Sequence, residues 1–361
     1  MLDSAAPDFT PIRHVGEFAL IDRLTAALGR PTSPDLLLGI GDDAAALRIA
    51  DDRALVWTTD LLTEGIHFDP SYVPLQHLGF KALAVNASDI YAMNARPRYA
   101  LLALAVNERY SVEALELLYA GLREACRAYG IEIVGGDTTA SKGGLVLSLT
   151  VLGEAHPDRI VRRSGGRPTD LLVVSGDLGA AYAGLQVLER EKAVWLQNPH
   201  LQPDLSDAEY VVERQLRPRA RRDIVEWLAA ADLLPTSMID ISDGLASEIW
   251  HLCSASKTGA VVYADRIPID YQTQRTAEAF GLPGLGFALH GGEDYELLFT
   301  LPVAAFERIQ GLSELHVIGH LTEAERGIHL AQPDGSIVPL EALGHDHFRS
   351  AGSDPQSVKP E

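Results

Sequence analysis

Acidic side chains stand beside glycine or hydroxyl residues at six places in this sequence, and carboxylates in such settings are candidate metal ligands. The six places are Asp42-Asp43, Thr58-Thr59-Asp60, Asp89, Gly136-Asp137-Thr138, Asp240-x-x-Asp243 and Gly292-Glu293. In the first, two adjacent carboxylates repel each other unless a cation lies between or beside them. A lone Gly-Asp-Asp is also an ordinary acidic turn. The recurrence of the pattern therefore favours a shared site.

The donor types indicate which metal such a site would hold. Carboxylate and hydroxyl oxygens without nearby pairs of Cys or His suit Mg²⁺ rather than zinc or copper. Several Mg²⁺ ions imply a highly anionic ligand, most simply ATP. Taken alone, Asp243 is typical of a helix N-cap, and Asp89 is equally consistent with a loop cap or an arginine pair. Asp240 has no such alternative, because it ends an apolar stretch.

Predicted strands and one long predicted helix position these acids. The hydrophobic spacing predicts a helix over 75–94, and Asp89 falls on its apolar stripe between Val85 and Met93. A carboxylate on that stripe must be paired or hold a metal, because burying it bare costs several kcal/mol. Predicted strands at 54–60 and 131–134 lead into Asp60 and Asp137, and residues 191–208 are predicted to be irregular.

The order of these elements predicts an α+β fold with mixed or antiparallel sheets and helices packed on one face, because no regular βαβ repeat is visible. We predict a loose N-terminus over 1–11, an ATP- and Mg-binding domain over 12–157, a C-terminal α+β domain over 158–349 and a disordered tail over 350–361. The boundary precedes the polar connector at 159–170.

Composition excludes several classes of protein. The chain has 361 residues, 47% of them hydrophobic, and a formal net charge of −20, which disfavours nucleic acid as a partner because phosphate backbones need clustered Lys and Arg. Divalent cations would still let an acidic protein bind phosphates. No apolar run reaches the length that spans a bilayer. The absence of a visible signal peptide and the two cysteines, Cys126 and Cys253, lead us to expect a reducing, cytoplasmic setting.

The better-known nucleotide motifs are missing. The sequence contains no Gly-x-x-x-x-Gly-Lys-Ser/Thr, no protein-kinase His-Arg-Asp with Asp-Phe-Gly, and no Gly-x-Gly-x-x-Gly between a strand and a helix. A phosphotransferase of this sequence is therefore neither a P-loop enzyme nor a protein kinase.

Taken together, the acidic motifs resemble those of the thiamine-monophosphate kinase family, within the aminoimidazole-ribonucleotide-synthetase-like ATP-binding superfamily. The resemblance runs from about residue 16 to 348 and preserves the family's order. The segments that carry it are Gly39-Ile40-Gly41-Asp42-Asp43, Thr59-Asp60, Gly65-x-His67, Lys81-Ala82-Leu83-Ala84-Val85-Asn86-x-Ser88-Asp89, Gly135-Gly136-Asp137-Thr138-Thr139, Arg163-Ser164-Gly165, Ile239-Asp240-x-Ser242-Asp243-Gly244-Leu245 and Gly291-Gly292-Glu293-Asp294-Tyr295-Glu296. The last of these separates the family from its superfamily relatives.

This resemblance implies ATP-dependent phosphorylation of thiamine monophosphate to thiamine diphosphate by direct Mg²⁺-assisted in-line transfer, in a homodimer whose N-terminal domains pair. It implies contacts to ATP from Gly136, Asp137, Arg163 and Ser242, and to the substrate from His67 and Glu293. The implied Mg²⁺ ligands are Asp43, Thr58, Thr59, Asp60, Asp89, Asp137, Asp240 and Asp243.

One position departs from the family pattern, and two other interpretations stay open. Where the family tends to place an aromatic residue against the substrate, this chain has Ala342, and Tyr295 or His345 is the candidate replacement. The alternatives are a sister ATP-dependent synthetase, which makes a phosphorylated amide or selenophosphate, and a nucleotide-binding maturation protein without turnover. Proteins of the second kind usually lose a ligating carboxylate, and none is missing here.

Overall fold

The computed structural model describes residue 10, residues 12–26, residue 28 and residues 32–342. Residues 34–342 belong to one compact unit, and the described N-terminal residues belong to another, in which helix α1 covers Glu17–Ala26. The predicted tail at 350–361 and all of the predicted loose N-terminus except residue 10 lie outside the described residues. Among the described residues, no helix combines the length and apolar character needed to cross a bilayer.

In the described part of the chain, thirteen strands and ten α-helices alternate without a fixed repeat. The strands are β1 Leu36–Leu38, β2 Ala45–Ala50, β3 Arg53–Thr63, β4 Arg96–Val106, β5 Glu132–Ala140, β6 Val146–Ala155, β7 Leu171–Ser175, β8 Ser237–Asp240, β9 Thr258–Tyr263, β10 Leu297–Leu301, β11 Leu315–Glu323, β12 Ile328–Ala331 and β13 Ile337–Pro339. The helices after α1 are α2 Leu75–Ala92, α3 Val112–Tyr129, α4 Ala180–Gln197, α5 Glu209–Leu216, α6 Arg222–Ala230, α7 Leu245–Ser256, α8 Tyr271–Ala279, α9 Gly284–His290 and α10 Phe306–Ile309.

The first sheet has the strand order β1-β2-β3-β6-β4-β5, and every pairing except the parallel β4–β5 pair is antiparallel. Alternate residues of β4 and β6, among them Leu102 and Leu149, are buried under α2 and α3. On the opposite face Leu61, Tyr99 and Leu101 are each about half exposed. Helices therefore cover one face of this sheet, as predicted.

Helix α2 is buried on nearly all sides because α3 lies directly against it. The backbones approach closely at two glycines: a Cβ on Gly79 would overlap the backbone of Leu118, and a Cβ on Gly121 would overlap that of Gln76. Helix α3 begins at the N-cap Ser111, whose hydroxyl accepts a hydrogen bond from the N–H of Ala114. Helix α2 also contacts β8, so it joins the first sheet to the second.

The second sheet has the order β13-β12-β9-β11-β7-β10-β8, in which only β9 and β12 pair in parallel. The central strands β7 and β10 are buried along their whole length, between a cluster that includes α7 and a cluster that includes α6. Two mixed sheets and their helices confirm the predicted α+β class. The predicted domain boundary at 157/158 falls between β6 and β7 and stays a prediction.

Two segments differ from expectation. Residues 191–197, predicted to be irregular, continue helix α4, because Glu189 to Ala193 is a run of good helix formers. The helix ends at Gln197, shortly before Pro199, since the residue that precedes a proline disfavours helical backbone. The Gly135-Gly136-Asp137 segment, predicted to follow a strand, lies inside β5, where Gly136 pairs with Leu102. A side chain at Gly136 would overlap the Leu102 carbonyl oxygen, which explains glycine at this position in a strand.

Candidate functional site

Three carboxylates from three distant parts of the chain converge at one point. Asp43 lies in the turn before β2, Asp89 in the last turns of α2 and Asp240 at the end of β8. One oxygen atom from each lies within 4.8 Å of those of the other two. The contact between α2 and β8 brings Asp89 to Asp240, and Thr58 on β3 donates a hydrogen bond to Asp89 Oδ2 at 2.6 Å. Residues predicted as ligands on separate elements are therefore gathered by the fold.

Burial and mutual repulsion perturb the pKa values of these acids. Burial raises the pKa of Asp43 to about 8, although the Arg163 guanidinium opposes the rise and Asp240 adds to it. Burial, together with the charge of Asp240, raises the pKa of Asp60 to about 7. The pKa of Asp89 lies well above its usual value, first because of burial and then because of Asp60, Asp240 and Asp43. A group of acids so disposed either takes up protons or holds a cation.

The donor set fits Mg²⁺. Every donor named so far is a carboxylate or hydroxyl oxygen, the type of ligand that Mg²⁺ prefers. Within the described residues, Asp43 Oδ2 and Asp60 Oδ2 are buried and have no hydrogen-bond partner. Buried acceptors are rarely left unpaired, and a divalent cation among the converging acids would give Asp43 Oδ2 a partner.

Two predicted ligands lie away from this point, and Asp60 and Asp243 are not among the three converging acids either. Thr59 lies on the opposite face of β3 from Thr58, because successive strand residues point to opposite faces. Its hydroxyl donates to the Leu149 carbonyl at 3.0 Å and accepts from Thr150 at 3.1 Å. Asp137 is exposed on the edge strand β5, and its carboxylate accepts the N–H of Thr138. The metal roles of Thr59 and Asp137 stay predictions.

Arg163, predicted to contact ATP, is bound to the acidic turn. Its Nε and Nη2 donate to Asp43 Oδ1 at 3.0 and 2.5 Å, and its backbone N–H donates to Asp42. Asp42 itself is not one of the three converging acids.

The segment after β8 is ordered by an acid that sequence reasoning missed. The buried Glu248 of α7 accepts hydrogen bonds from the N–H and hydroxyl of Ser242 and from the N–H of Asp243. Burial, followed by the charge of Asp243, raises the pKa of Glu248 well above its usual value. Ser242 and Asp243, the predicted nucleotide and metal contacts, thus have a fixed backbone beside Asp240.

The predicted substrate contact Glu293 is held by two residues not predicted from the sequence. The ammonium of Lys81, which is 4% exposed, lies 2.7 Å from Glu293 Oε1, and the amide of Gln215 donates to Oε2 at 2.7 Å. Burial alone would raise the pKa of Glu293, but Lys81, Gln215 and His67 together lower it below its usual value. His67 accepts the N–H of Thr63 on its Nδ1. Glu293 is therefore a carboxylate at neutral pH.

The loop that carries Glu293 is strained and firmly anchored. Glu293 and Tyr295 have φ values of 60° and 52°, in the left-handed region that disfavours residues other than glycine. The N–H of Glu293 donates to the Ser242 carbonyl and that of Tyr295 to the Ile241 carbonyl, so the loop runs along the segment after β8. Asp294 accepts from the N–H groups of Gly179 and Ala181 at the start of α4, and Arg221 lies 2.5 Å from Glu296.

Comparisons with known proteins match the chain along most of its length. Residues 41–155 match the N-terminal domain of the AIR synthase related protein family. Thiamine-monophosphate kinase of Escherichia coli (strain K12) is 38% identical over 341 residues, covering 92% of this chain and 98% of the relative. Thiamine-monophosphate kinase of Aquifex aeolicus (strain VF5) is 35% identical over 337 residues, covering 93% and 99%. A solved structure of AaThiL complexed with AMPPCP and TMP is similar at a TM-score of 0.79 and 33% identity, covering 94% of this chain and all of the other.

Proposed function

The chain belongs to the thiamine-monophosphate kinase family, and we propose that its acidic centre phosphorylates thiamine monophosphate to thiamine diphosphate with ATP and Mg²⁺. The observation that carries this proposal is the convergence of Asp43, Asp89 and Asp240, in which the buried Oδ2 of Asp43 has no hydrogen-bond partner among the described residues. A relative of this family with an ATP analogue and TMP bound supports the same pair of substrates.

The acceptor in this reaction is itself a phosphate monoester. Its second pKa lies near 6, so it is largely deprotonated at neutral pH and needs no general base. One of its oxygens forms a bond to the γ-phosphorus of ATP while the bond from that phosphorus to the β–γ bridging oxygen breaks, and ADP leaves. We propose direct in-line transfer without a phosphorylated enzyme. Bound Mg²⁺ would supply neutralisation of the charge on the reacting phosphates.

The chain's own residues divide into two groups. Asp43, Asp60, Asp89, Asp240 and Asp243, with the Thr58 hydroxyl, are the proposed Mg²⁺ ligands on the inner side of the site. Arg163, Ser242 and the backbone at Gly136 are proposed to bind ATP. Since the barrier is repulsion between two anionic phosphates, positioning and charge neutralisation are what these residues must provide.

Substrate recognition is assigned to His67 and Glu293. Because Lys81 and Gln215 keep Glu293 ionised, the proposed site presents a carboxylate to a substrate whose thiazolium ring carries a positive charge. A charged ring of this kind is attracted to a half-buried carboxylate more strongly than a neutral ring is. Tyr295, 6% exposed beside Glu293, stays one proposed replacement for the aromatic residue missing at Ala342, and the other candidate, His345, lies outside the described residues.

We propose that the enzyme is a homodimer, and the position of Asp137 in the first sheet supports this proposal. Asp137 pairs with Ala103, Ala103 with Ser148 and Ser148 with Leu61, so three strand spacings separate Asp137 from β3. That is ~14 Å, too far for Asp137 to share an ion with Asp60. If Asp137 binds the same ion as Asp60, a second copy must bring it, and the exposed apolar face around Leu101 is the proposed contact surface.

Mixed dimers test this arrangement. Homodimers of Asp43→Asn and of Asp137→Asn are each expected to lose activity by orders of magnitude while remaining folded. If Asp137 acts on the site of the other subunit, a dimer with one chain of each kind has one intact site and recovers about half the activity of the wild type per dimer. No recovery on co-expression would place both acids in one subunit.

Calorimetry tests the function itself. Titration of thiamine monophosphate into protein with Mg²⁺ and a non-hydrolysable ATP analogue is expected to show saturable binding. ADP release measured across thiamine monophosphate, formylglycinamidine ribonucleotide and selenide separates the kinase from a sister synthetase. A protein that binds ATP but releases no ADP with any of them would be the silent maturation protein.

The cellular setting is also a proposal. Two free cysteines, Cys126 and Cys253, and the use of ATP favour the cytoplasm.

A further inference from the structure

The two adjacent acids of the Gly-Asp-Asp turn hold one arginine from two sides. The carboxylate of Asp42 accepts the backbone N–H of Arg163 at 3.1 Å to Oδ1 and 3.3 Å to Oδ2, and Oδ1 also accepts the N–H of Asp43 at 3.2 Å. The side chain of Arg163 returns to Asp43, donating from both Nε and Nη2 to Oδ1. Backbone and side chain of one residue are thus each bound to a different acid.

This contact joins segments that are about 120 residues apart in the chain. The turn lies between β1 and β2 of the first sheet, whereas Arg163 lies in the connector between β6 and β7. The connector is in turn fixed to the second sheet, because the Arg162 carbonyl accepts the N–H of Met238 on β8. Since β8 ends at Asp240, the connector ties Asp42 and Asp43 to the strand that supplies another converging acid.

The two acids use their oxygens differently. Both oxygens of Asp42 accept N–H donors, and Asp42 is absent from the group of converging acids. Asp43 offers Oδ1 to Arg163, while its buried Oδ2 has no partner within the described residues. A carboxylate anchored through one oxygen has the other oxygen fixed in direction, which is how groups behind metal ligands orient them.

We propose that Asp42 is a positioning residue and not a metal ligand: it fixes the Arg163 backbone so that the guanidinium orients Asp43 toward the metal. This inference rests on the proposed function insofar as Asp43 holds a metal. It assigns a role to an acid that the resemblance left without one, and it gives Arg163 a second task besides the proposed contact to ATP.

The test compares the Mn²⁺ affinity of Asp42→Asn, Asp42→Ala and Asp43→Asn in the absence of ATP and thiamine monophosphate. Calorimetry and electron paramagnetic resonance monitor the titration. Asn keeps an oxygen that accepts the Arg163 N–H, so Asp42→Asn is expected to hold Mn²⁺ within about threefold of the wild type. Asp42→Ala removes that acceptor and is expected to weaken Mn²⁺ binding on the order of tenfold, the loss expected for one hydrogen bond to a charged group. Asp43→Asn is expected to weaken it at least 100-fold, as loss of a ligand should.

Each other outcome overturns the inference in a recognisable way. If Asp42→Asn weakens Mn²⁺ binding as much as Asp43→Asn, Asp42 is itself a ligand. If Asp42→Ala binds Mn²⁺ like the wild type, even with lowered thermal stability, the contact is only structural. If the wild type binds no Mn²⁺, the proposed metal site fails and the role of Asp42 fails with it. Asp52→Ala, at an exposed turn between β2 and β3, is the matched control for the loss of one surface acid.

Discussion

Without its metal, the acidic centre should lower the free energy of unfolding, and Asp89→Asn should restore part of that loss. Asn has the shape of Asp and can still accept the Thr58 hydrogen bond, so the substitution removes charge alone. We expect metal-free Asp89→Asn to be more stable than the wild type at pH 7.5. The same substitution should weaken the binding of Mg²⁺.

The magnitude follows from the separation of the oxygens. Two unit charges 4.8 Å apart repel by about 3.5 kcal/mol at an effective dielectric constant of 20, and Asp89 has two such neighbours, Asp43 and Asp240. Proton uptake relieves part of this repulsion, since burial raises the pKa of Asp43 to about 8 and that of Asp89 well above its usual value. We therefore expect a gain of about 1–3 kcal/mol in the free energy of unfolding, well below the ~7 kcal/mol of two full charge pairs.

The sign of the pH dependence is part of the prediction. A carboxyl group whose pKa is higher in the folded than in the unfolded state binds protons more tightly when folded, so its contribution to stability falls as pH rises. With unfolded values near 3.8 and folded values of about 7 for Asp60 and about 8 for Asp43, metal-free wild type should lose stability between pH 4 and 8. Asp89→Asn should flatten that decline.

Urea denaturation in EDTA and in MgCl₂ provides the measurement. The wild type should gain stability on adding Mg²⁺, by about 2.7 kcal/mol at 100 times the dissociation constant, and Asp89→Asn should gain much less. Asp52→Asn, an exposed control, should behave like the wild type in both. If Asp89→Asn is less stable than the wild type in EDTA, or gains as much from Mg²⁺, the acids do not form a repulsive metal site.

Two further predictions concern the support of the site. Lys81→Met leaves Glu293 as a half-buried carboxylate without its cation and should lower the free energy of unfolding by about 3–5 kcal/mol. Adding Glu293→Gln should restore part of the lost stability. A double variant that is no more stable in urea than Lys81→Met would show that the pair is not coupled. Gly136→Ala forces a Cβ onto the Leu102 carbonyl and should cost about 1–3 kcal/mol by urea denaturation. Gly143→Ala, whose Cβ would meet only the Ser141 hydroxyl at 3.9 Å, should stay within about 0.5 kcal/mol of the wild type. Equal effects of the two alanines would contradict the proposed overlap.

The sequence was a good guide to local chemistry. The carboxylates that converge were recognisable because each follows a strand, a glycine turn or an apolar helix stripe, where a bare charge is hard to explain. Helix α2, predicted over 75–94, covers Leu75–Ala92, because its apolar spacing is regular. These are signals that act over a few residues.

Signals that depend on the path of the chain were not readable. Nothing near Lys81 in the sequence indicates that Glu293, over 200 residues away, neutralises it, nor that Gln215 and Glu248 order the neighbouring segments. Thr59 is a different case, and its role as a metal ligand stays a prediction. Strand periodicity alone separates it from Thr58, and applying that rule within 54–60 would have put the two hydroxyls on opposite faces.

Helix α2 connects the two halves of the proposed reaction. It carries Lys81, which pairs with Glu293, the proposed substrate contact, and Asp89, one of the three converging acids. Eight residues of helix separate them by ~12 Å along the axis, and the close packing at Gly79 makes that spacing rigid. The proposed substrate has a cationic ring at one end and a phosphate at the other. Its ring would reach Glu293 while its phosphate lies at the acidic centre.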